Sequence, residues 1–409
     1  MKASYSRALV WSLIAAAFIG PGTVTTAAKA GSQGGWLYSP YVVLAAVAGL
    51  LLMEMVARIT LVSGRSLGQV LGARGRWLAG LCFGAVLLGC MAYQAGNLLG
   101  ALSGVQLLVP ADRLWVLLLG LAAFAVLWKG DTKIIARALS GIVVLMGFVF
   151  VVAGGALLFG EAALTGNGAV LPATIIGLVG TTIVPYNFFL AAGLSKGQSL
   201  SEMRLGLAGS FLVGGIITLS IVLVGSVATS FTGFSDLAST LDAGLGRMSR
   251  AVLGFGLFAA GFSSAVTAPL AAALAGRELL GRKETDFANT SSWFRGIWGG
   301  VLAVGLLVAC LELDIVTVII AAQVANGLLL PFIAAIVLVL ANDRALLKDQ
   351  VNAHWQNLAG LAVAGFLAYK NFGLLLGKVV EDAGTGFWAE ALVVVYLGTI
   401  VWFAYRKRA

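Results

Sequence analysis

Two short stretches of this 409-residue chain could do chemistry with their backbone: Gly20-Pro21-Gly22-Thr23 and Val184-Pro185-Tyr186-Asn187. Each interrupts a long apolar run. A proline removes one helical hydrogen bond and its ring clashes with the preceding turn, while flanking glycines lower the cost of unwound backbone. Opening the first run over residues 20–22 is expected to strip helical partners from carbonyls such as those of Phe18 and Ile19. It should also expose the amides of Thr23 and Val24 at the start of a second half-helix, with the Thr23 hydroxyl as its cap. A half-helix that ends there presents a negative dipole suited to a cation. One that begins there suits a carboxylate or other anion. The second interruption offers the same pair of ends around Thr181–Asn187. Groups able to line a pocket between them are Gly20, Gly22, Thr23, Thr181, Thr182, Val184, Tyr186 and Asn187. Gln323 and Asn326 from a later run, and Gln94 and Asn97 from an earlier one, could join them. The chemistry on offer is the binding of a cation or small polar solute by neutral oxygens and helix ends.

Catalysis is excluded on the same residues. The single histidine, His354, stands at a loop edge, so no nucleophile inside an apolar run has a histidine partner. No Gly-x-x-x-x-Gly-Lys loop is present to cradle a nucleotide. Cys82, Cys90 and Cys310 sit singly in apolar runs as small hydrophobes, without metal-ligand spacing. No cofactor is expected. Glu54 is the one carboxylate well inside a run, with Arg58 four residues on. The pair reads either as an inner gate or cation relay, or as a stabilising ion pair with Arg58 reaching the interface.

The elements that must position these groups follow from composition. Sixty per cent of the residues are apolar and 11% charged, with a mean hydropathy of +1.00, where a soluble domain carries roughly 25% charged residues. The apolar runs are each long enough to cross a hydrocarbon core of about 30 Å as a helix, and helices are the spanning structures that satisfy their own backbone. Twelve spans are predicted: 8–30, 41–63, 77–108, 113–129, 135–159, 170–194, 205–230, 251–280, 295–312, 315–341, 356–377 and 387–405. The polar stretches near Phe231–Arg250 and Arg282–Arg295 read as loops with a short amphipathic piece. Lys2 and Arg7 lead straight into the first span, which is expected to be retained.

The net charge of +9 does not point to nucleic acid, because its distribution is a topology signal. Basic clusters (Arg65, Arg74 and Arg76; Lys129, Lys133 and Arg137; Lys196 and Arg204; Arg277 to Arg295; Arg344 and Lys348; Arg406 to Arg408) fall in alternate loops. The positive-inside rule makes that side cytoplasmic. An even number of spans then puts both termini in the cytoplasm and the chain in the cell membrane, with the bilayer as its partner. Trp36, Tyr38, Trp115, Trp388 and Tyr405 read as interfacial anchors. Gly89, Gly96, Gly100 and Gly104 form a small-residue face for close helix packing. Lys370, in the eleventh span, reads as snorkelling or packing between helices.

The two interruptions fall in the first and sixth spans, which run in opposite directions. That is the signature of an inverted repeat of five helices whose halves meet at a central site. The fold class is therefore an all-α integral membrane protein with a 5+5 inverted repeat. Residues 1–341 form the core (8–159 and 170–341 its repeats), and 342–409 form two accessory helices.

At these residues the chain resembles the NRAMP family of divalent-metal transporters, which share the inverted-repeat fold of LeuT. Phe18-Ile19-Gly20-Pro21-Gly22-Thr23 resembles that family's Asp-Pro-Gly-Asn break, and Gly180 to Asn187 its Met-Pro-His-Asn break. Ala260-Gly261-Phe262-Ser263-Ser264-Ala265-Val266-Thr267 resembles its eighth helix. Ala322-Gln323-Val324, followed by Leu330-Pro331-Phe332, resembles its tenth. The departures fall on the chemistry. Gly20 stands for the metal-binding aspartate, Thr23 for the asparagine and Val184 for the methionine. The carbonyl of Thr181 stands for the alanine carbonyl ligand, and Tyr186 and Ala191 for the histidines. Gln94 and Asn97 replace the acidic pair linked to proton movement.

The resemblance thus implies a secondary transporter whose cation site, around Thr23 and Thr181, is uncharged. Tight binding of dehydrated manganese or iron(II) is not expected. A hard ion that keeps part of its water shell, such as magnesium, suits such oxygens better. Proton coupling through glutamine and asparagine is not expected either, because neither titrates. A second reading is transport of a small organic solute such as an amino acid, since Ile19 to Thr23 also resembles the Gly-x-Gly break of amino-acid permeases. A third is a non-transporting sensor or partner subunit.

Overall fold

The computed structural model describes residues 19–130, 133–158, 168, 170–189, 198–228, 230–246, 248–281, 291–379 and 385–408. It is helical throughout these segments. In chain order the helices are α1 (Pro21–Gly34), α2 (Ser39–Ser63), α3 (Leu67–Gly72), α4 (Arg76–Leu108), α5 (Trp115–Lys129), α6 (Lys133–Leu158) and α7 (Pro172–Thr182). Then follow α8 (185–189), α9 (Leu200–Ser226), α10 (Phe234–Leu245), α11 (Met248–Leu280), α12 (Ser292–Cys310), α13 (Ile315–Ala341), α14 (Arg344–Leu347), α15 (His354–Val379) and α16 (Thr385–Arg408). The predicted spans correspond to α1, α2, α4 to α6, α7 with α8, α9, α11 to α13, α15 and α16. Two of the boundaries differ usefully. α5 is only 15 residues long, about 22 Å at the α-helical rise. α9 starts at Leu200, earlier than its apolar run, because Ser199 and Glu202 form a reciprocal capping box. The amphipathic piece in the long loop is α10, and α3 closes the turn after α2 through a Ser66–Gln69 capping box.

Both prolines begin a helix instead of kinking one. Gly20 is extended (φ −96°, ψ 173°) and Pro21 opens α1. Ile183 leaves helical geometry at the end of α7 (φ −112°, ψ 87°), and Pro185 opens α8. Proline at the first helical position loses nothing, since that amide has no helical acceptor, and it forces an extended residue before it. Three expectations about the first break need correction. Gly22 lies within α1 and is not unwound. The amide of Val24 is not exposed but bonds the Gly20 carbonyl at 3.2 Å. Thr23 is not the cap: Gly20 holds that position without any side-chain cap. The half-helix before Gly20, with Phe18, lies outside the described residues.

Packing is built on small residues where helices meet backbone to backbone. A Cβ at Gly104 would lie 2.3 Å from the Phe258 amide nitrogen, and one at Gly261 would lie 2.4 Å from that of Ala101, so α4 and α11 are in main-chain contact. The glycine face of α4 serves several partners: Gly100 receives Pro21 of α1, Gly96 faces Ile319 of α13, and Gly89 faces Asn326. Apolar side chains form two clusters stacked along the helix axes. One contains Leu98, Leu102, Ile175, Leu178, Ile221 and Ile319. The other contains Val86, Cys90, Val179, Val184, Phe211 and Leu330. Ile19 and Val24 at the first interruption belong to the former cluster, and Ile183 and Val184 at the second belong to the latter.

Of the aromatic residues read as interfacial anchors, Trp36, Trp115, Trp388 and Tyr405 are exposed and Tyr38 is not. Tyr38 is fully buried, and its hydroxyl accepts the Leu171 amide at 2.8 Å. Lys370 lies 5.8 Å from the Phe366 ring and 5.7 Å from that of Tyr369.

Candidate functional site

The site forms where α1, α4, α7 and α13 converge. The Thr23 and Thr181 hydroxyls, 158 positions apart in sequence, are 2.8 Å from one another, and both residues are buried. Their meeting places the start of α1 against the end of α7. Gln323 of α13 lies between the two broken helices. A Cβ at Gly22 would be 2.0 Å from its side-chain nitrogen, and one at Gly180 would be 2.1 Å from its main-chain oxygen. The backbone approach therefore requires glycine at 180, while at Gly22 the space is taken by the end of the Gln323 side chain. Tyr93 of α4 completes the group, donating its hydroxyl to the Gly180 carbonyl at 3.0 Å and to Gln323 Oε1.

The remaining expected residues distribute around this centre. Among the described residues, Ser264 Oγ is the one side-chain atom within 4 Å of a Cβ placed at Gly20, at 3.9 Å. Val184 is buried in the break itself, and Tyr186 sets its ring edge-on to Tyr93 with centroids 6.4 Å apart. Asn187 is buried, its main-chain amide donates to the Val184 carbonyl at 3.0 Å, and its side-chain oxygen and nitrogen have no hydrogen-bond partner among the described residues. Thr182 turns its hydroxyl back to the Leu178 carbonyl at 2.9 Å.

Three further groups stand around this centre. Gln94 faces away, donating to the Ala265 carbonyl of α11 at 2.9 Å and packing on Gly305 of α12. The main-chain oxygen of Asn97 lies against Gly261 of α11, and its side-chain nitrogen is buried without a hydrogen-bond partner among the described residues. Asn326 lies fully buried one turn along α13 from Gln323, against Gly89. The counterpart of the second histidine, Ala191, lies outside the described residues.

Glu54 and Arg58 form a separate centre between α2, α9 and the segment after α13. Glu54 Oε1 accepts from Arg204 Nε at 2.9 Å, and Glu54 Oε2 from Arg58 Nε at 3.3 Å. Arg58 does not reach the interface: it is 1% exposed, with its other nitrogens donating to the Gln350 carbonyl and Asn352 Oδ1. Full hydrogen bonding lets the guanidinium stay inside. Asp343 nearby accepts from Arg74 and lies 3.9 Å from Lys407 Nζ.

Among the described residues, no group of three or more His, Cys, Asp or Glu side chains could hold a metal ion. What the convergence of α1, α7 and α13 provides is hydroxyl, amide and main-chain oxygens at the ends of two interrupted helices. A polytopic bundle with paired interruptions around a buried polar centre is an integral membrane protein of the LeuT-type transporter fold.

The comparisons place it more closely. The Nramp family, described as natural resistance-associated macrophage protein-like, matches residues 12–377. The chain belongs to that family. It is 26% identical over 411 aligned residues to the divalent metal cation transporter MntH 1 of Pseudomonas aeruginosa, covering 89% of each protein. It is 22% identical over 393 residues to MntH of Klebsiella pneumoniae, covering 90% of this chain and 92% of that one. Among solved structures, the manganese transporter of Eremococcus coleocola matches with a TM-score of 0.71 at 17% identity, over 98% of this chain and 94% of that one. Mhp1, a nucleobase-cation-symport-1 family transporter, matches with a TM-score of 0.58 at 14% identity, over 97% and 93%. Both likenesses bear on the fold alone.

Proposed function

We propose that this protein is a secondary transporter that moves a divalent metal cation, preferring a hard, partly hydrated ion such as magnesium to dehydrated manganese or iron. Its place in the Nramp family and the names of its bacterial relatives support the substrate class. The observation that carries the finer reading is the Thr23–Thr181 hydroxyl pair beside Gln323, a meeting of two broken helices made of uncharged oxygens. Thr23, Thr181 and Gln323 are the cation-facing groups in this reading, with Gly20, Gly22, Val184, Tyr186, Asn187 and Asn326 shaping the pocket. Neutral oxygens alone do not offset the cost of stripping a divalent ion of its water, so an ion that arrives with water still bound fits better. Glu54 with Arg58 takes the structural role in this reading, and Gln94 and Asn97 carry no proton. The substrate then crosses with its charge uncompensated, and the membrane voltage drives it.

The same reading places the protein in the cell membrane with both termini cytoplasmic, residues 8–159 and 170–341 as the repeats, and 342–409 as an added helix pair. Purified protein in liposomes tests it. Entry of magnesium, followed by an internal indicator dye and lowered about fivefold in Thr23→Val or Thr181→Val, is the expected result. Counterflow of a labelled amino acid without metal entry would instead establish the organic-solute reading. Silence with both would leave the sensor reading.

A further inference from the structure

We infer that Tyr93 determines ion specificity by holding two of the site's oxygens until a cation takes them. This rests on the cation reading above. Gly180 lies in the last turn of α7, where carbonyls run out of helical donors and become the natural ligands of a cation at a helix C-terminus. Gln323 Oε1 is the other strong neutral acceptor at the point where α1 and α7 meet. The Tyr93 hydroxyl reaches both: 3.0 Å to the Gly180 carbonyl and a direct bond to Gln323 Oε1. A phenol carries one proton. It cannot serve both acceptors fully at once, so one of them is always the weaker bond and the easier to surrender.

The ring that brings the hydroxyl there is fixed. It is buried within α4, a helix without a break, and sits edge-on to Tyr186, the residue that follows Pro185 in α8. One unbroken helix thus places a displaceable hydrogen-bond donor over ligands supplied by a broken helix and by α13. An ion that keeps its water can use those oxygens through its hydration shell and leave the phenol bonds in place. An ion that sheds water must take the oxygens directly and displace the phenol. Tyr93 therefore handicaps the dehydrating ion more than the hydrated one.

Tyr93→Phe keeps the ring and deletes only the hydroxyl. Calorimetric titration of the purified protein with manganese and with magnesium is the test, beside the unfolding temperature of each variant. The expected result is tighter manganese binding by about three- to tenfold, the range of one released hydrogen bond, with magnesium changed by less than half as much. Adding Gln323→Leu to Tyr93→Phe should remove most of the gain, since the freed oxygen is then gone. A phenol that merely braces the helices would weaken both ions alike and lower the unfolding temperature. Equal weakening, or no change in a folded variant, overturns the inference while leaving the cation reading intact. A wild-type protein without a saturable signal from either ion overturns both. Should Tyr93→Phe not fold, Tyr93→Thr, too short to reach Gln323, must show the same shift toward manganese or the inference fails.

Discussion

Glu54 faces two arginines that are not equivalent. The Arg58 side chain is 2% exposed and that of Arg204 is 49% exposed, although each lies within 3.3 Å of the same carboxylate. Removing Glu54 leaves Arg58 as a buried charge without its counter-ion, a change that costs about 3–5 kcal/mol in comparable sites. Glu54→Ala should therefore lower the unfolding midpoint in detergent sharply. Arg204→Ala should change stability by less than about 1 kcal/mol, because water already screens that pair. Equal losses for the two variants would show that exposure does not separate them. At the pocket, Thr181→Val keeps shape and deletes the hydroxyl that meets Thr23. It should lower initial uptake about fivefold, with little effect on the unfolding midpoint. These threonines were legible because they stand beside the interruptions. Tyr93 was not. A tyrosine in an apolar span carries no sign of where its hydroxyl ends, and its partners are 87 and 230 positions away.

Among the elements, the two glycines against Gln323 report on different things. A Cβ at Gly22 would meet the end of the Gln323 side chain, which can swing away, whereas one at Gly180 would meet the Gln323 main chain, which cannot. Gly22→Ala should thus cost transport and spare the fold. Gly180→Ala should cost the fold, with reduced yield of monodisperse protein in size-exclusion chromatography. The amphipathic helix α10 offers a pH test. Burial works to raise the Asp236 carboxyl, but bonds from the Thr232 amide and hydroxyl and the Gly233 amide outweigh it and hold the group below its usual value. A depressed folded value means that the contribution is complete above the ordinary carboxylate range of about 4. It is lost as pH falls through the lowered value. Relative to the intrinsic exchange rate at each pH, protection across 232–245 should drop below about pH 4 in the wild type, and Asp236→Asn should already lack it at pH 7. The sequence marked the two breaks through proline and glycine but put three residues of the first one wrongly. Proline alone does not say whether the helix bends through it or starts on it, and the extended Gly20 decided for a start.

At the scale of the whole molecule, the charge of the cargo is the decisive quantity. A divalent ion crossing uncompensated gains about 4.6 kcal/mol per 100 mV, twice the value for a single charge. Metal entry into liposomes should accelerate when a potassium gradient with valinomycin makes the interior negative, and an imposed pH gradient should not replace it. Acceleration by the pH gradient at zero voltage would establish proton coupling after all. The C-terminal helices also take part in the fold, because Arg58 of α2 is satisfied by Gln350 and Asn352, and Asn352 continues to Asn357 at the start of α15. Deleting residues 342–409 should then yield aggregated protein in size-exclusion chromatography, an expectation opposed to a freely separable accessory pair.

Composition, hydropathy and the placing of two prolines by themselves determined that this chain crosses a membrane as a helical bundle with paired interruptions. They could do so because each is a local constraint: lipid forbids unpaired backbone, and proline acts on its own turn. The neutrality of the pocket was likewise legible, since no charged residue type stands at the breaks. What only the tertiary structure decided is which groups share one space. Thr23 met Thr181, Tyr93 entered from α4, and Gln94 turned to α11. Those choices are set by the rotation of each helix about its axis, which packing against glycine faces fixes and which no hydropathy pattern encodes when all sides of a helix are apolar.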